Sequence, residues 1–408
     1  MKETILVIGS GYQAFREYAL KGLAERYRVV LIGQAPLNWQ LSYATEYRET
    51  ELKDRAAVFA AAEDLAAGNR FAGVLTWEEM HITLAAEVGA RLGVRTMPVE
   101  AARACRDKAR QRELFQAAEV PSARFQLAGS VEEAITAADT IGYPVVVKPR
   151  GRAASVAVQI VYSEDEMRAA FDFARTSENA AIADGLVLIE EFLVGEEISV
   201  DSWVLDGKVE PYVIALKRTD YPPFFEEVAH VAGKVLDSGT EAAVRDVVIR
   251  ATQAIGIDRT VTHTELMLTA DGPKVIEVNG RLGGELIPRL AEIAIPGLSV
   301  GALMGAVATG HEPTPIPEPD RLVGIRFLYP PADLTFGNIE VPTALADEPW
   351  VYEVRRVTEP GTELRLPPRG FLGRAGYAIA TGADVAEIDA RLLALADRMT
   401  VAGEPLAA

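Results

Sequence analysis

The chain has 408 residues, 49% of them hydrophobic, which is enough apolar material for two or three cored domains. Its 59 acidic and 41 basic side chains leave a formal net charge of −18, which argues against a nucleic-acid partner or an anionic membrane surface but not against a small anion in a local basic pocket. The single cysteine, Cys105, excludes an intrachain disulfide and a thiolate metal cluster, and no apolar run reaches membrane-spanning length, so a soluble, cytoplasmic protein without a membrane partner is expected.

In chain order, the apolar run 5–8 reads as a buried strand, Gly9-Ser10-Gly11 as a turn, 14–26 as a helix and 28–32 as a second strand, which together make a βαβ unit. Strands at 73–76 and 93–95 continue the alternation, so a Rossmann-like first domain is expected over 1–105. The Gly-x-Gly-x-x-Ala pattern at 9–14 is weak evidence of a dinucleotide site, because it also serves as a tight turn and no acidic residue closes the second strand. Trp77, Glu78 and Glu79 end a strand where α/β crevices form and could reach a substrate amine; ordinary loop placement accounts for them equally well.

A helical segment over 99–118 carries Lys108, and Val120-Pro121 opens a new unit with strands at 144–148, 156–162 and 186–190 and a helix at 165–175. Lys148 ends an apolar strand, and Arg150-Gly151-Arg152-Ala153-Ala154-Ser155 then turns back with small residues and positive charge. Such a loop can close over phosphates, or it can be a plain hairpin whose lysine reaches solvent. Glu190-Glu191-Phe192-Leu193 joins two strands; a planar base could lie on its apolar part while Glu197 accepts bonds from ribose hydroxyls, and an acidic inter-strand loop is the plainer alternative. From 197 onward the order strand, Asp206-Gly207 turn, strand indicates an antiparallel sheet, so 106–193 and 194–312 are taken as two subdomains. His230, after Phe224-Phe225-Glu226-Glu227, is a candidate for substrate contact or proton transfer, with a packed histidine as the alternative.

The most telling segment is 264–279, where two apolar runs flank Ala270-Asp271-Gly272 as in a hairpin. Centred on Asp271, the hairpin sets Glu265 directly opposite Glu277 on one face, their Cβ atoms roughly 4.5 to 5.5 Å apart. Two like charges there repel unless a cation sits between them, and hard oxygen ligands of this kind suit Mg²⁺. Asn279 and His263 share that face, and Arg281 follows. Pro313 to Pro319 reads as a linker into a last unit, 320–408, which ends with a helix over 385–399 and to which no chemistry is assigned.

Taken together, Lys108, Lys148, the small-residue loop, Glu190 to Leu193, Glu197, Glu265, Glu277, Asn279 and Arg281 resemble the ATP-grasp superfamily over about residues 75 to 310. The run 277–288 is similar to that of carboxylate–amine ligases of the bacilysin-type L-amino-acid (dipeptide) ligase group. The resemblance implies an α/β (α+β) ATP-grasp fold with an N-terminal Rossmann-like companion domain and a small C-terminal unit. It implies that Lys108 and Lys148 contact ATP phosphates, that Glu190, Glu191, Phe192 and Leu193 form the adenine segment, and that Glu197 holds the ribose. Glu265, Glu277 and Asn279 become ligands of Mg²⁺, with Mn²⁺ as an alternative, and Arg281 faces the transferred phosphoryl group. Ser155 holds the position of the usual loop serine, while the alanines around it replace glycines common in the family, a change that Arg150 and Arg152 could offset. The implied activity is ADP-forming ligation of a substrate carboxylate to an amine through an acyl phosphate, with amino acids as expected substrates and a homodimer as the expected state. A purine-biosynthetic ATP-grasp enzyme that activates bicarbonate or formate is the alternative.

Overall fold

Three continuous apolar runs and one polar edge strand, Glu46–Glu49, build a four-stranded parallel sheet in the first 75 residues, in the order Glu46–Glu49, Arg28–Gly33, Thr4–Ile8, Phe71–Leu75. The runs do not alternate because both faces are covered. Ile5 and Val7 pack with the helix Gln13–Arg26, and Leu6 and Ile8 with the helices Arg55–Gly68 and Ile82–Leu92. The computed structural model describes residues 2–153, 155–178, 182 and 184–406, so Ala154 of the loop after Lys148 and the last two residues of the C-terminal unit lie outside the described residues.

Two sequence expectations in this half are corrected. Residues 93–95 form no strand: Gly93, at φ 69°, ends the helix Ile82–Leu92, and the N–H groups of Gly93 and Val94 return to Ala90 and Gly89. The helical segment 99–118 is two helices, Val99–Cys105 and Lys108–Ala117, because the Asp107 side chain accepts from the N–H groups of Ala109 and Arg110 and starts the second helix anew. That break sets Lys108 in a first turn, where it can leave the helix axis.

A small antiparallel sheet follows, in the order Phe125–Ala128, Val187–Glu191, Val145–Lys148, Gln159–Val161. Val145, Val147, Val187 and Ile189 pack under the helices Val131–Ile141 and Glu164–Thr176. By alternation, Lys148 and Glu190 face the opposite way. Pairing in the fourth strand covers only 159–161, since positive φ at Ser155 and Ala157 (52° and 60°) breaks the extended run expected from 156.

The large sheet has eight strands in the order Gly272–Asn279, Thr260–Thr269, Glu196–Leu205, Lys208–Asp220, Glu226–Gly233, Leu322–Leu328, Gly376–Gly382, Val351–Arg356. Its last three strands come from beyond 320, so the C-terminal segment joins the core by strand pairing, with the helix Val385–Arg398 packed on it. Residues 206–207 form the expected turn, both at positive φ (48° and 80°), a two-residue hairpin of the kind that matches strand twist. One sheet face packs on the helix Ser238–Ile255. Among the described residues no helix is long and apolar enough to cross a membrane.

Candidate functional site

Glu265 and Glu277 do pair directly across the hairpin, but not for the reason the spacing implied. The tip is Ala270-Asp271, between the paired Thr269 and Gly272, and the ladder continues through Leu266 and Val275. Continued unbroken, that register would set Glu265 against Ile276. A bulge at Ile276 inserts one residue, and the two carboxylates meet. The bulge is held from outside: Arg112 Nη2 donates to the Ile276 carbonyl at 2.5 Å, and Gln111 bonds both the N–H and the neighbouring carbonyl of Val278, at 2.8 and 3.1 Å. Helix Lys108–Ala117 thus covers an edge strand and fixes its register.

The two carboxylates are each bonded to a lysine. Lys108 Nζ donates to Glu277 Oε1 at 2.9 Å and to the Arg152 carbonyl at 2.7 Å. Lys217 Nζ donates to Glu265 at 3.2 Å, to Glu197 at 2.6 Å, and lies 3.0 Å from Glu227. Burial opposes its charge, yet Glu197, Glu227 and Glu265 raise the Lys217 pKa well above the ordinary value, so the ammonium is retained. Burial likewise raises the Glu197 carboxyl. Lys217 and Glu227 were not singled out from sequence; the signal available was Lys217 in an otherwise apolar run, 212–217, whose alternation puts it on the polar face of the sheet.

The facing wall is built by the small sheet. Lys148 Nζ lies 2.5 Å from Glu190 Oε2, and Arg112 Nε lies 2.6 Å from Glu190 Oε1, all three side chains buried. Glu190 therefore turns its carboxylate to two cations, which leaves the segment's backbone and Glu191, Phe192 and Leu193 for a ligand. Burial lowers the Lys148 pKa, with Glu190 opposing the shift. Lys108, Lys148, Arg152, Ser155, Glu190, Glu191, Phe192, Leu193, Glu197, Lys217, Glu227, Glu265 and Glu277 all line one cleft between the two sheets, with about 840 Å³ of empty space including its mouth. Arg150 does not join them: Asp107 and Asp184 hold its guanidinium, so only Arg152 of the two loop arginines reaches the cleft.

Asn279, Arg281 and His230 lie outside that lining. Arg281 Nε donates to Glu79 Oε2 at 2.6 Å, Arg106 pairs with the same carboxylate, and the Asn279 amide, oriented by its best hydrogen bonds, donates to Glu79 and Glu277 at 3.1 to 3.3 Å. Glu79 is thus a latch on the end of the Glu277 strand, while Trp77 is buried with its indole on the Ser10 carbonyl and Glu78 accepts from the Gly11 N–H. Burial opposes ionisation of Glu79, but Arg281 and Arg106 hold its carboxyl down to about 2. The unfolded carboxyl, near 4.5, takes up its proton first, so this latch stabilises the fold above that pH and is lost as pH falls toward 2. Glu79→Gln is expected to cost on the order of 3 kcal/mol at pH 7 and much less at pH 3. Urea unfolding at both pH values tests this, and an equal deficit at both would refute it.

His230 is buried in the strand Glu226–Gly233 directly opposite Lys217; its Nε2 lies 3.2 Å from Glu227 Oε2 and its ring meets Phe327 edge-on. Glu227, which touches both Lys217 and His230, lines the cleft. His263 Nδ1 is bonded to buried Asp201 at 2.6 Å and its Nε2 stands 3.7 Å from Glu265, so it supports that carboxylate from beneath. The C-terminal segment also reaches this region: Arg374 pairs with Glu285, donates to the Tyr329 hydroxyl at 2.7 Å and to the Glu227 carbonyl at 3.0 Å, and lies over the Phe327 ring.

Among the described residues no group of three or more His, Cys, Asp or Glu side chains forms a metal cluster. The donors that fit a hard divalent cation are the opposed carboxylates of Glu265 and Glu277, a pair that leaves most coordination positions to oxygens from outside the protein, as Mg²⁺ bound with phosphate requires.

Residues 141–289 match the ATP-grasp domain family, and residues 326–403 match the L-amino acid ligase C-terminal domain 2 family. The chain is 28% identical to the alanine–anticapsin ligase of Bacillus subtilis strain 168 over 240 residues, 54% of this chain and 50% of that protein. It is 30% identical to the phosphoribosylamine–glycine ligase of Lactococcus lactis over 210 residues, 48% of each. The chain spans about half the length of these curated relatives. Among solved structures, an L-amino acid ligase from Bacillus licheniformis superposes with a TM-score of 0.83 at 22% identity, covering 99% of this chain and 100% of that one. A phosphoribosylglycinamide synthetase from Anaerococcus prevotii gives 0.74 at 18%, covering 98% and 100%. At these identities the superpositions establish the fold.

Proposed function

We propose, for a chain that belongs to the ATP-grasp ligases, that it joins a substrate carboxylate to an amine at the expense of ATP, with amino acids as the substrates and an amide or dipeptide as the product. The observation that carries this reading is the convergence, in one cleft, of Lys108, Lys148, Arg152, Glu191 to Leu193, Glu197, Glu265 and Glu277 from segments far apart in sequence. The match of residues 326–403 to an L-amino acid ligase domain favours amino acids over the purine-biosynthetic alternative.

A carboxylate is a poor electrophile, so one of its oxygens attacks the γ-phosphorus of ATP, ADP departs, and the amine nitrogen then attacks the acyl carbon of the acyl phosphate and expels phosphate. Repulsion between the two anions is the first barrier, and positioning and electrostatics lower it. Lys108, Lys148 and Arg152 receive the phosphates, and Arg281 offsets charge at the transferred group. Glu197 accepts from the ribose, and the backbone of 190–193 with Phe192 and Leu193 takes the base. Glu265 and Glu277, with Asn279 beside them, would hold Mg²⁺ or Mn²⁺, which when bound neutralises phosphate oxygens. The amine must lose a proton before it attacks; Glu227 and His230, 3.2 Å apart, are the pair able to accept it.

Incubation with ATP, Mg²⁺ and pooled amino acids tests the reading. ADP and phosphate released only when amino acids are present are the expected products. AMP with pyrophosphate would exclude an acyl phosphate, and ADP release that depends on bicarbonate and an aminoimidazole nucleotide would move the assignment to purine synthesis.

A further inference from the structure

The hairpin posed an electrostatic problem, two carboxylates facing each other, and the protein answers it with its own cations. Glu277 is bonded to Lys108 and Glu265 to Lys217, at 2.9 and 3.2 Å, and both ammoniums are buried. A divalent cation entering between the carboxylates competes with those ammoniums for the same oxygens. An ammonium displaced within a buried cleft cannot recover its hydration, so it must find another anion or the exchange is costly. The two lysines differ here. Lys217 keeps Glu197 and Glu227 when it yields Glu265. Among the described residues Lys108 keeps one hydrogen bond, to the neutral Arg152 carbonyl, when it yields Glu277. Its other anionic neighbour, Glu79, is already held by Arg281 and Arg106.

We infer that Lys108 is an exchange residue that couples metal binding to nucleotide binding: it leaves Glu277 for the nucleotide phosphates, and only that move frees the carboxylate for the divalent cation. This rests on the nucleotide reading above and adds a direction to it. Free divalent metal is held poorly, nucleotide without metal leaves Glu265 and Glu277 facing each other with less compensation, and the two ligands load together. Linkage makes the coupling reciprocal. Glu277 sits in the edge strand whose bulge Arg112 fixes, so the carboxylate cannot follow the lysine and the exchange is between partners.

The coupling makes a prediction of opposite sign for the two ligands. A lysine that only binds phosphate, or only supports the fold, lowers affinity for both or for nucleotide alone when it is removed. For Lys108→Met, affinity for Mn²⁺ alone is expected to rise by about fivefold or more while affinity for ADP falls by a similar factor. Lys108→Arg, which keeps the charge, is expected to retain the wild-type pattern. Calorimetric titrations of the full chain with Mn²⁺, with ADP and with both, and bound Mn²⁺ measured by electron paramagnetic resonance, read these affinities without turnover. A fall in Mn²⁺ affinity in Lys108→Met, or no change, overturns the exchange. If Lys108→Met does not fold, wild type decides: equal Mn²⁺ affinity with and without ADP overturns the coupling. Wild type that binds neither ADP nor Mn²⁺ with ADP overturns the nucleotide reading itself, a result distinct from either.

Discussion

Glu277→Gln is expected to reduce turnover by about a thousandfold or more while leaving the fold intact. The side chains are the same size, and the amide oxygen still accepts from Lys108, whose ammonium lies 2.9 Å from the carboxylate. What is lost is one negative charge at the place where Glu265 and Glu277 face each other, and with it half of the carboxylate pair able to hold a cation against phosphate oxygens. ADP release in the amino-acid assay, beside a thermal unfolding curve, separates the two effects. Near-normal turnover would remove the metal assignment; lost turnover with a lowered unfolding temperature would show that the charge serves the fold.

Glu190→Leu is expected to destabilise the protein by about 3 to 5 kcal/mol. Glu190 sits between Lys148 and Arg112, at 2.5 and 2.6 Å, and none of the three reaches solvent to any extent. Removing the carboxylate leaves two buried cations. Arg112 cannot deprotonate, whereas Lys148, whose pKa burial already lowers, can escape part of the cost by losing its proton. The variant should therefore recover some stability as pH rises and lose it as pH falls, because folding then requires the lysine to be charged without a partner. The loss also reaches the hairpin, since Arg112 holds the Ile276 bulge. Urea unfolding at pH 6 and pH 9 measures both parts; a loss below about 1 kcal/mol would show that the buried triad contributes little.

The candidate site was legible in sequence to the extent that its residues lie on regular elements. Alternation along 272–279 marks one face as polar, and that was sufficient to find Glu277 and Asn279. The same argument located Lys148 at the end of its strand, but not its bond to Glu190, because that bond joins strands separated by some forty residues. Glu190 was expected as part of the adenine segment; its carboxylate lies between two cations, and that placement leaves its backbone free for the expected role. Lys217 is ambiguous as a lone charge in an apolar run, Glu227 as one of two adjacent glutamates, and Arg112 as one of several charges on a polar helix, until the neighbouring elements are known. Arg150, expected with Arg152 to address phosphate, is held by the aspartate that begins the helix of Lys108.

By itself the sequence determined the mixed α/β class, the hairpin, and which side chains carry oxygen or charge on its polar face, since these follow from local periodicity and turn chemistry. Tertiary structure decided the rest. The pairing of Glu265 with Glu277 depends on a bulge pinned by a helix more than 150 residues earlier in the chain, and a shift of one residue in that ladder would have turned Glu265 toward an isoleucine. Which cation meets which carboxylate is a matter of distances across strands and between sheets, and those are set by packing.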